Sequence, residues 1–377
     1  MSSAASPSRG TARSPLAGFS GTAGMAVAAI GIALLFTAGP ILIAGADPLA
    51  AYVNYFITPL TSQFRFLEIL VSATPLLFAG VAVAIAFRAG YWNIGVEGQL
   101  LSGATAAAGV GMLVGGWPPL LAIPAMVGAG ALAGAAWALI PALLRTRLGL
   151  EEVVTTLLLN PVALLVVQAL VQGPWRDPTG ITESPPIAEA AHFPQLIERS
   201  RLHLGFLIAL VIALVAWYVI GRTAAGLRLR AVGLSPHAAR FAGIRVERTL
   251  LGVALLSGAV AGIAGVSEVA GIQYRLTSGL SPGYGYTGIV VAMLGGLTMP
   301  GVLFSAFLLG DLSVGASSAE RSLGIPSQMG AVVQGTLLLA VVGLLALRRW
   351  RVRRDEPPPG EAEPPPDDER HVELAAE

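Results

Sequence analysis

From Gly98 to Leu144 the chain runs for 47 residues without one charged side chain. A helix crosses the hydrocarbon core of a bilayer in about 20 residues, so this run is too long for one span and too apolar for water. Gly115–Pro119, GGWPP, divides it, because Gly and Pro interrupt helices. The two halves read as spans, the second ended by Arg145 and Arg147. The same logic marks uncharged stretches at Thr22–Ala46, Ile69–Phe87, Val153–Gln172, Leu204–Ile220, Leu250–Ser267 and Ile325–Leu347. In lipid every backbone polar group needs an internal partner, which leaves only helices and closed barrels, and runs of this length select helices. Composition agrees: 12% of residues are charged, where soluble domains carry about 25%. The expectation is an all-α integral membrane protein with about ten transmembrane helices.

Two regions break this regularity. Asn93–Gln99, NIGVEGQ, reads as an interruption with a new helix starting near Gly95. Leu276–Gly310 is uncharged but punctuated by SPGYGYTG and GGLTMPG, which predicts short segments at Thr287–Leu294 and Gly301–Val314. Broken helices near 93–99 and 287–314 are the kind that transporters place against protein or a water-filled cavity. Residues 1–20 read as a disordered cytosolic lead, 21–347 as the membrane domain, and 348–377 as a basic, then Pro- and acid-rich disordered tail. The first apolar run exceeds the core of a signal peptide, about 7–15 residues, and reads as a retained span. With ten spans and both termini cytosolic, 17 arginines fall inside and 6 outside, as the positive-inside rule requires. The polar stretch Gly173–Arg201 is then an external loop.

Absences exclude chemistry. The chain has no cysteine, so disulfides and thiolate sites are out. It has no lysine, and a phosphate-binding loop needs one on the nucleotide phosphates. This chain is not a P-loop ATPase. His192, His203 and His237 form no ligand spacing, so no metal site and no cofactor of its own are expected. No clustered nucleophile, base or metal set points to an enzyme.

Gly221–Thr249 carries six arginines and one acid between two apolar runs. It contains a complete short-helix signature: Ser235 as N-cap, Pro236 at the first helical position and Gly243 as the stop. So short a helix is marginal alone, which suits a segment that docks into a partner, with Phe241, Ala238 and Ala242 as an apolar face beside His237 and Arg240. A basic loop that merely fixes topology reads equally well from these residues alone.

Several separated motifs, in order, resemble one family. FRAGYWNIGVEGQLLSG at Phe87–Gly103, TLLLNPVA around Asn160, the loop T-x-x-G-x-x-L-R-A-V-G-x-x-P-x-A-A-R-x-A-G-I from Thr223, SGAVAGIAG at Ser257–Gly265 and SPGYG at Ser281–Gly285 resemble permease subunits of bacterial ABC importers for nucleosides and simple sugars, of the branched-chain amino acid and ribose type. The resemblance runs from about Leu67 to Leu347. Two departures stand out: Tyr286 and Thr287 replace Phe and Asp of the family pattern, and LGGLTMP replaces L-G-R-N-N-P. The resemblance implies a translocation subunit in the cell membrane whose cytosolic loop couples to a separate ATPase through Gly226, Arg230, Gly233, Ser235, Pro236, His237, Ala239, Arg240, Phe241 and Gly243. It also implies a second permease subunit, the same or paralogous, and an extracytoplasmic binding protein delivering a small solute, nucleoside first and sugar second. ATP is used by the partner, and no nucleic acid is involved. The competing class is an ion-driven secondary transporter, which would carry more ionisable groups in its spans.

Candidate pathway residues are Asn93, Glu97, Gln99, Asn160, Glu268, Tyr284 and Asp311. Asn93 and Gln99 offer amide donors and acceptors suited to sugar hydroxyls or base edges. Glu97 alternatively caps a helix or pairs with Arg88. Asn160, before Pro161, lines the pathway or accompanies a kink. Glu268 and Asp311 lie within spans, where ionisable groups are costly. Plainer readings exist for both: Glu268 meets Arg275 or water, and Asp311 is a hydrogen-bonded structural acid. Tyr284 and Tyr286 stack on solute or sit at the interface.

Overall fold

The computed structural model describes residues 15–355. Among them the regular structure is all helix, with two isolated β-bridges, Glu183 to Thr277 and Gln195 to His203. Helix α1 (Pro15–Ile43) starts inside the stretch read as a lead and is followed by α2 (Pro48–Phe56), whose first turn is capped by Asp47. A single 3₁₀ turn leads into α3 (Gln63–Arg88). Then come α4 (Val96–Leu113), α5 (Pro119–Leu148) and α6 (Glu152–Gln172). After the long loop follow α7 (Leu204–Arg222), α8 (Ala224–Leu234), α9 (Pro236–Phe241) and α10 (Val246–Glu268). The chain ends with α11 (Tyr284–Leu294), α12 (Met299–Leu323) and α13 (Met329–Asp355). The proposed lead before Pro15 and the tail beyond Asp355 lie outside the described residues.

Among the described residues six helices are long and apolar enough to cross a membrane: α3, α5, α6, α7, α10 with its extension, and α12. A seventh span arises if α1 and α2, bent by 119°, count as one. α11 is short and apolar, as expected. The segment expected to be short from Gly301 to Val314 is not: α12 runs for 25 residues, through Glu320 and Arg321. Its start is set by Thr298, whose hydroxyl accepts from Gly301 N at 3.3 Å, and it stops at Gly324 with φ +67°. The Ser- and Ala-rich second half looks polar in sequence, yet it packs helix against helix and so stays helical.

From Ile69 to Phe87 α3 lies at the centre and is apolar on all faces, as an enclosed helix must be. It packs against α10, α11 and α12, while α4, α5 and α10 form a second tight group. The sequence reason for that group is small residues four apart. Gly258 and Gly262 of α10 face Gly130 and Gly134 of α5, and Gly103 of α4 meets Gly262. A methyl group at Gly262 would overlap the Gly130 carbonyl, so the backbones touch directly, the packing that lipid-embedded helices favour.

At the other end, α10 widens into a π turn over Val269–Gln273 and is stopped by Tyr274 at φ +56°. The loop 173–203 folds over this end. Ile187 N donates to Tyr274 O at 2.9 Å, Phe193 N to Ala270 O at 2.8 Å, and Ala188 N to Gly111 O at 2.9 Å.

Candidate functional site

The interruption after α3 is held by side chains from three helices. Gly90, at φ +74°, turns the chain back. Trp92 N then donates to Glu152 Oε1 at 3.4 Å, and Ile94 N to Thr156 Oγ1 at 3.2 Å, both on α6. Asn160 closes the frame: its Nδ2 donates to Ile94 O and its Oδ1 accepts from Gly98 N, each at 2.9 Å. Asn93 and Gln99 exchange two hydrogen bonds of 2.9 Å, and Asn93 Nδ2 also donates to Ser257 Oγ, which itself donates to Ala82 O at 2.7 Å. All three amides are buried and spent inside the protein in this conformation. Glu152, Thr156 and Ser257 are partners that sequence reading missed. Thr156, which opens TLLLNPVA, and Ser257, which opens SGAVAGIAG, lay within quoted motifs, whereas nothing in the sequence marked Glu152.

Among the described residues Glu97 pairs with neither Arg88 nor any other cation. Its Oε2 accepts from Gly285 N at 2.7 Å, so the acid in the first turn of α4 caps α11 instead. The close approach is possible because a side chain at Gly285 would collide with the Glu97 backbone. The hydroxyl of Ser281, which accepts from Gly283 N and Tyr284 N, faces the same carboxylate. The first turns of two broken helices thus meet head to head.

Beyond that junction Arg201 is bound to Glu68 and lies within electrostatic reach of Glu268 and Tyr284. Arg275, one partner considered for Glu268, instead pairs with Glu183 at 2.9 Å. The structure therefore gathers Glu68, Glu97, Arg201, Glu268 and Tyr284 beneath the long loop; Glu68 and Arg201 are additions to the residues picked from sequence. Tyr286 is exposed on the same turn. Asp311 stands apart in α12, beside the contact of Gly310 with Ile69 and Ala73 of α3. Its Oδ1 is buried with no hydrogen-bond partner among the described residues, so the reading of a hydrogen-bonded structural acid does not hold for that atom. Among the described residues no group of three or more His, Asp or Glu is placed to hold a metal ion.

On the opposite side, α8 and α9 form a hairpin. Ser235 Oγ accepts from Ala238 N at 3.2 Å, Pro236 opens α9, and Gly243 at φ +78° ends it. Ala239 is buried with Val232 and Val246, which fastens the hairpin to the start of α10. Gly226 and Gly233 are required by close approach, the first to the carbonyls of Val219 and Ile220, the second to Arg88 at the end of α3. Arg230 Nε donates to Gly226 O at 3.4 Å, and Arg240 pairs with Glu247 at 2.6 Å. Phe241 is 83% exposed with His237 against its ring, centroids 4.8 Å apart; Leu234 at the end of α8, not picked out from sequence, is 88% exposed. The exposed apolar residues of the hairpin thus include Leu234, Ala238, Phe241 and Ala242, while Ala239 is buried.

A multi-helix membrane core with interrupted helices and a basic hairpin is the frame expected of a transport subunit. Residues 65–342 match the family described as branched-chain amino acid transport system, permease component, and the chain belongs to that family. It is 38% identical over 279 residues to a guanosine ABC transporter permease protein of Bacillus subtilis, covering 73% of this chain and 80% of the relative. A glucose ABC transporter permease protein of Haloferax volcanii is 36% identical over 333 residues, 85% and 87% of the two chains. A nucleoside ABC transporter permease protein of Lactococcus lactis subsp. cremoris is 31% identical over 307 residues, 79% and 84%. The chain is therefore an ABC-transporter permease, a multi-pass protein of the cell membrane, and the ion-driven alternative falls away.

Proposed function

We propose that this permease forms, with a second copy or a paralogue, the pathway of an importer for nucleosides, with simple sugars as the second class. A separate ATPase supplies the energy and an extracytoplasmic binding protein delivers the solute. The relatives named for guanosine and for nucleosides support the order of substrates, and the one named for glucose supports the second class. Ten membrane elements, α1, α3 to α7 and α10 to α13, would place both termini and the α8–α9 hairpin in the cytosol, in line with the arginine distribution.

The observation that carries the coupling reading is the contrast within the hairpin. Leu234 and Phe241 stand exposed, as anchors for a partner's groove do, while Ala239, Gly226 and Gly233 weld the hairpin to α7, α10 and the end of α3. A displacement imposed on Phe241 passes to Arg88 and so to the interruption that Asn93, Gln99 and Asn160 hold. Glu97, Glu268 and Tyr284 then shape the solute's route on the far side, and Asp311 tunes how α12 packs on α3. No cofactor of this chain's own takes part.

The test is uptake of labelled guanosine into vesicles holding the permease, its ATPase and its binding protein. Uptake should persist with the proton gradient collapsed and stop when ATP is withdrawn. Uptake that follows the gradient instead would sink the reading.

A further inference from the structure

Between α7 and α10 lies a crevice of about 900 Å³. Ile212, Val215 and Val219 of α7 line one side, with Leu256 and Ile263 of α10 on the other, and Arg228, Arg245 and Arg248 stand at its foot. Glu247, the one acid from Gly221 to Thr249, is already engaged by Arg240 at 2.6 Å. Among the described residues none of the three arginines at the foot has a carboxylate within ion-pair distance. Arg248 and Ile263 are 15 residues apart on one helix, which at about 1.5 Å per residue is about 22 Å. That is half of a bilayer about 40–45 Å thick, headgroups included.

We propose that this crevice binds one anionic phospholipid. Its phosphate sits among Arg228, Arg245 and Arg248, and an acyl chain runs up the seam between α7 and α10. Guanidinium groups match phosphate oxygens in paired hydrogen bonds, and basic pockets between membrane helices on the cytosolic side suit anionic headgroups. A soluble anion would satisfy the arginines and leave the apolar walls bare. An acidic segment of a protein partner would do the same above the first turn of the groove. Only an amphiphile one leaflet long meets both requirements. The lipid would then tie the α8–α9 hairpin to the membrane plane, so that lipid composition bears on coupling. Only the choice of leaflet rests on the cytosolic placement proposed above.

The full-length chain, placed in nanodiscs of equal phosphatidylcholine and phosphatidylglycerol and re-extracted in mild detergent, is assayed for the lipid it retains. Wild type should keep phosphatidylglycerol several-fold over phosphatidylcholine. Replacing Arg245→Gln together with Arg248→Gln should abolish that preference. Gly252 lies in the wall, and a Cβ there meets nothing within 4 Å, so Gly252→Trp fills the groove without disturbing the core and should abolish retention. Leu256→Trp is the second filling variant, and thermal melting verifies that each variant is folded. Equal retention of both lipids by wild type, or undiminished retention by a folded filling variant, overturns the proposal. So does a disulfide between two Gly252→Cys chains in membranes, which would make a second copy the occupant. Retention is read without transport, so failure of the importer reading leaves this result standing.

Discussion

Glu97 Oε2 and Gly285 N are joined by a 2.7 Å hydrogen bond across 188 residues of chain. The bond fixes the first turn of α4 to the first turn of α11. Removing the acceptor leaves a buried N–H unsatisfied, at a cost of about 1–3 kcal/mol. Glu97→Ala should therefore lower the melting temperature of the detergent-purified chain, and Glu97→Gln, which keeps a carbonyl oxygen, should lower it less. Identical melting of all three proteins would show that the junction does not hold the two helices.

The glycine contact between α5 and α10 predicts a sharp contrast of position. Gly262→Leu drives a side chain into the Gly130 and Gly134 backbones. Overpacking of this kind costs at least about 1–3 kcal/mol, and here backbone rather than side chain must move. The variant should fail to accumulate as monodisperse protein. Gly252→Leu, on the open face of the same helix, should accumulate normally; size-exclusion profiles of the two decide.

Phe241→Asp and Ala239→Asp separate docking from folding. Phe241 is exposed, and a surface change away from special features shifts stability by within about 0.5 kcal/mol. Phe241→Asp should melt like wild type yet lose its ATPase in co-purification. Ala239→Asp buries a carboxyl among Val232 and Val246 and should loosen the hairpin itself, seen as faster amide exchange over residues 231–246. Retained ATPase with Phe241→Asp would remove Phe241 from the interface.

In the long loop the Thr179 hydroxyl and then its backbone N–H, at 2.6 and 2.8 Å, hold the Asp177 carboxyl below its ordinary range, with Arg275 adding to the effect. A lowered native pKa stabilises the loop above the ordinary Asp value, about 3.9. That contribution fades as pH falls through the lowered native value. Amide exchange at Thr179 and Gly180 should accelerate as the medium is acidified, and Asp177→Asn should flatten the response. A wild-type profile matching the Asn variant would contradict this.

The absence of cysteine allows a clean test of orientation. In intact cells a membrane-impermeant maleimide should label Thr182→Cys in the long loop and spare Ala238→Cys in α9 until the membrane is opened. The reverse pattern would invert the proposed topology.

Uncharged run lengths, arginine placement and cap residues are properties of contiguous chain. For that reason the helical class, the break at Asn93–Gln99 and the Ser235–Pro236–Gly243 helix are all legible in the sequence. The resemblance carried by the ordered motifs reached the family. Partners across the fold are not contiguous, and here sequence reading ran out. Glu97 had neighbours in sequence that made it a cap for α4 or a mate for Arg88, but the close approach at Gly285 hands it to α11. Arg275 is nearer Glu268 in sequence than Glu183 is, yet the fold of the long loop decides for Glu183. α12 continues past Val314 because its small polar residues are buried against neighbouring helices, a fact that composition conceals. Sequence alone determined what kind of chain this is: an all-helical membrane protein of the permease family. Only the tertiary structure decided which polar groups are spent on one another and which stand free, because hydrogen bonds and ion pairs form between atoms a few ångströms apart, whatever their separation along the chain.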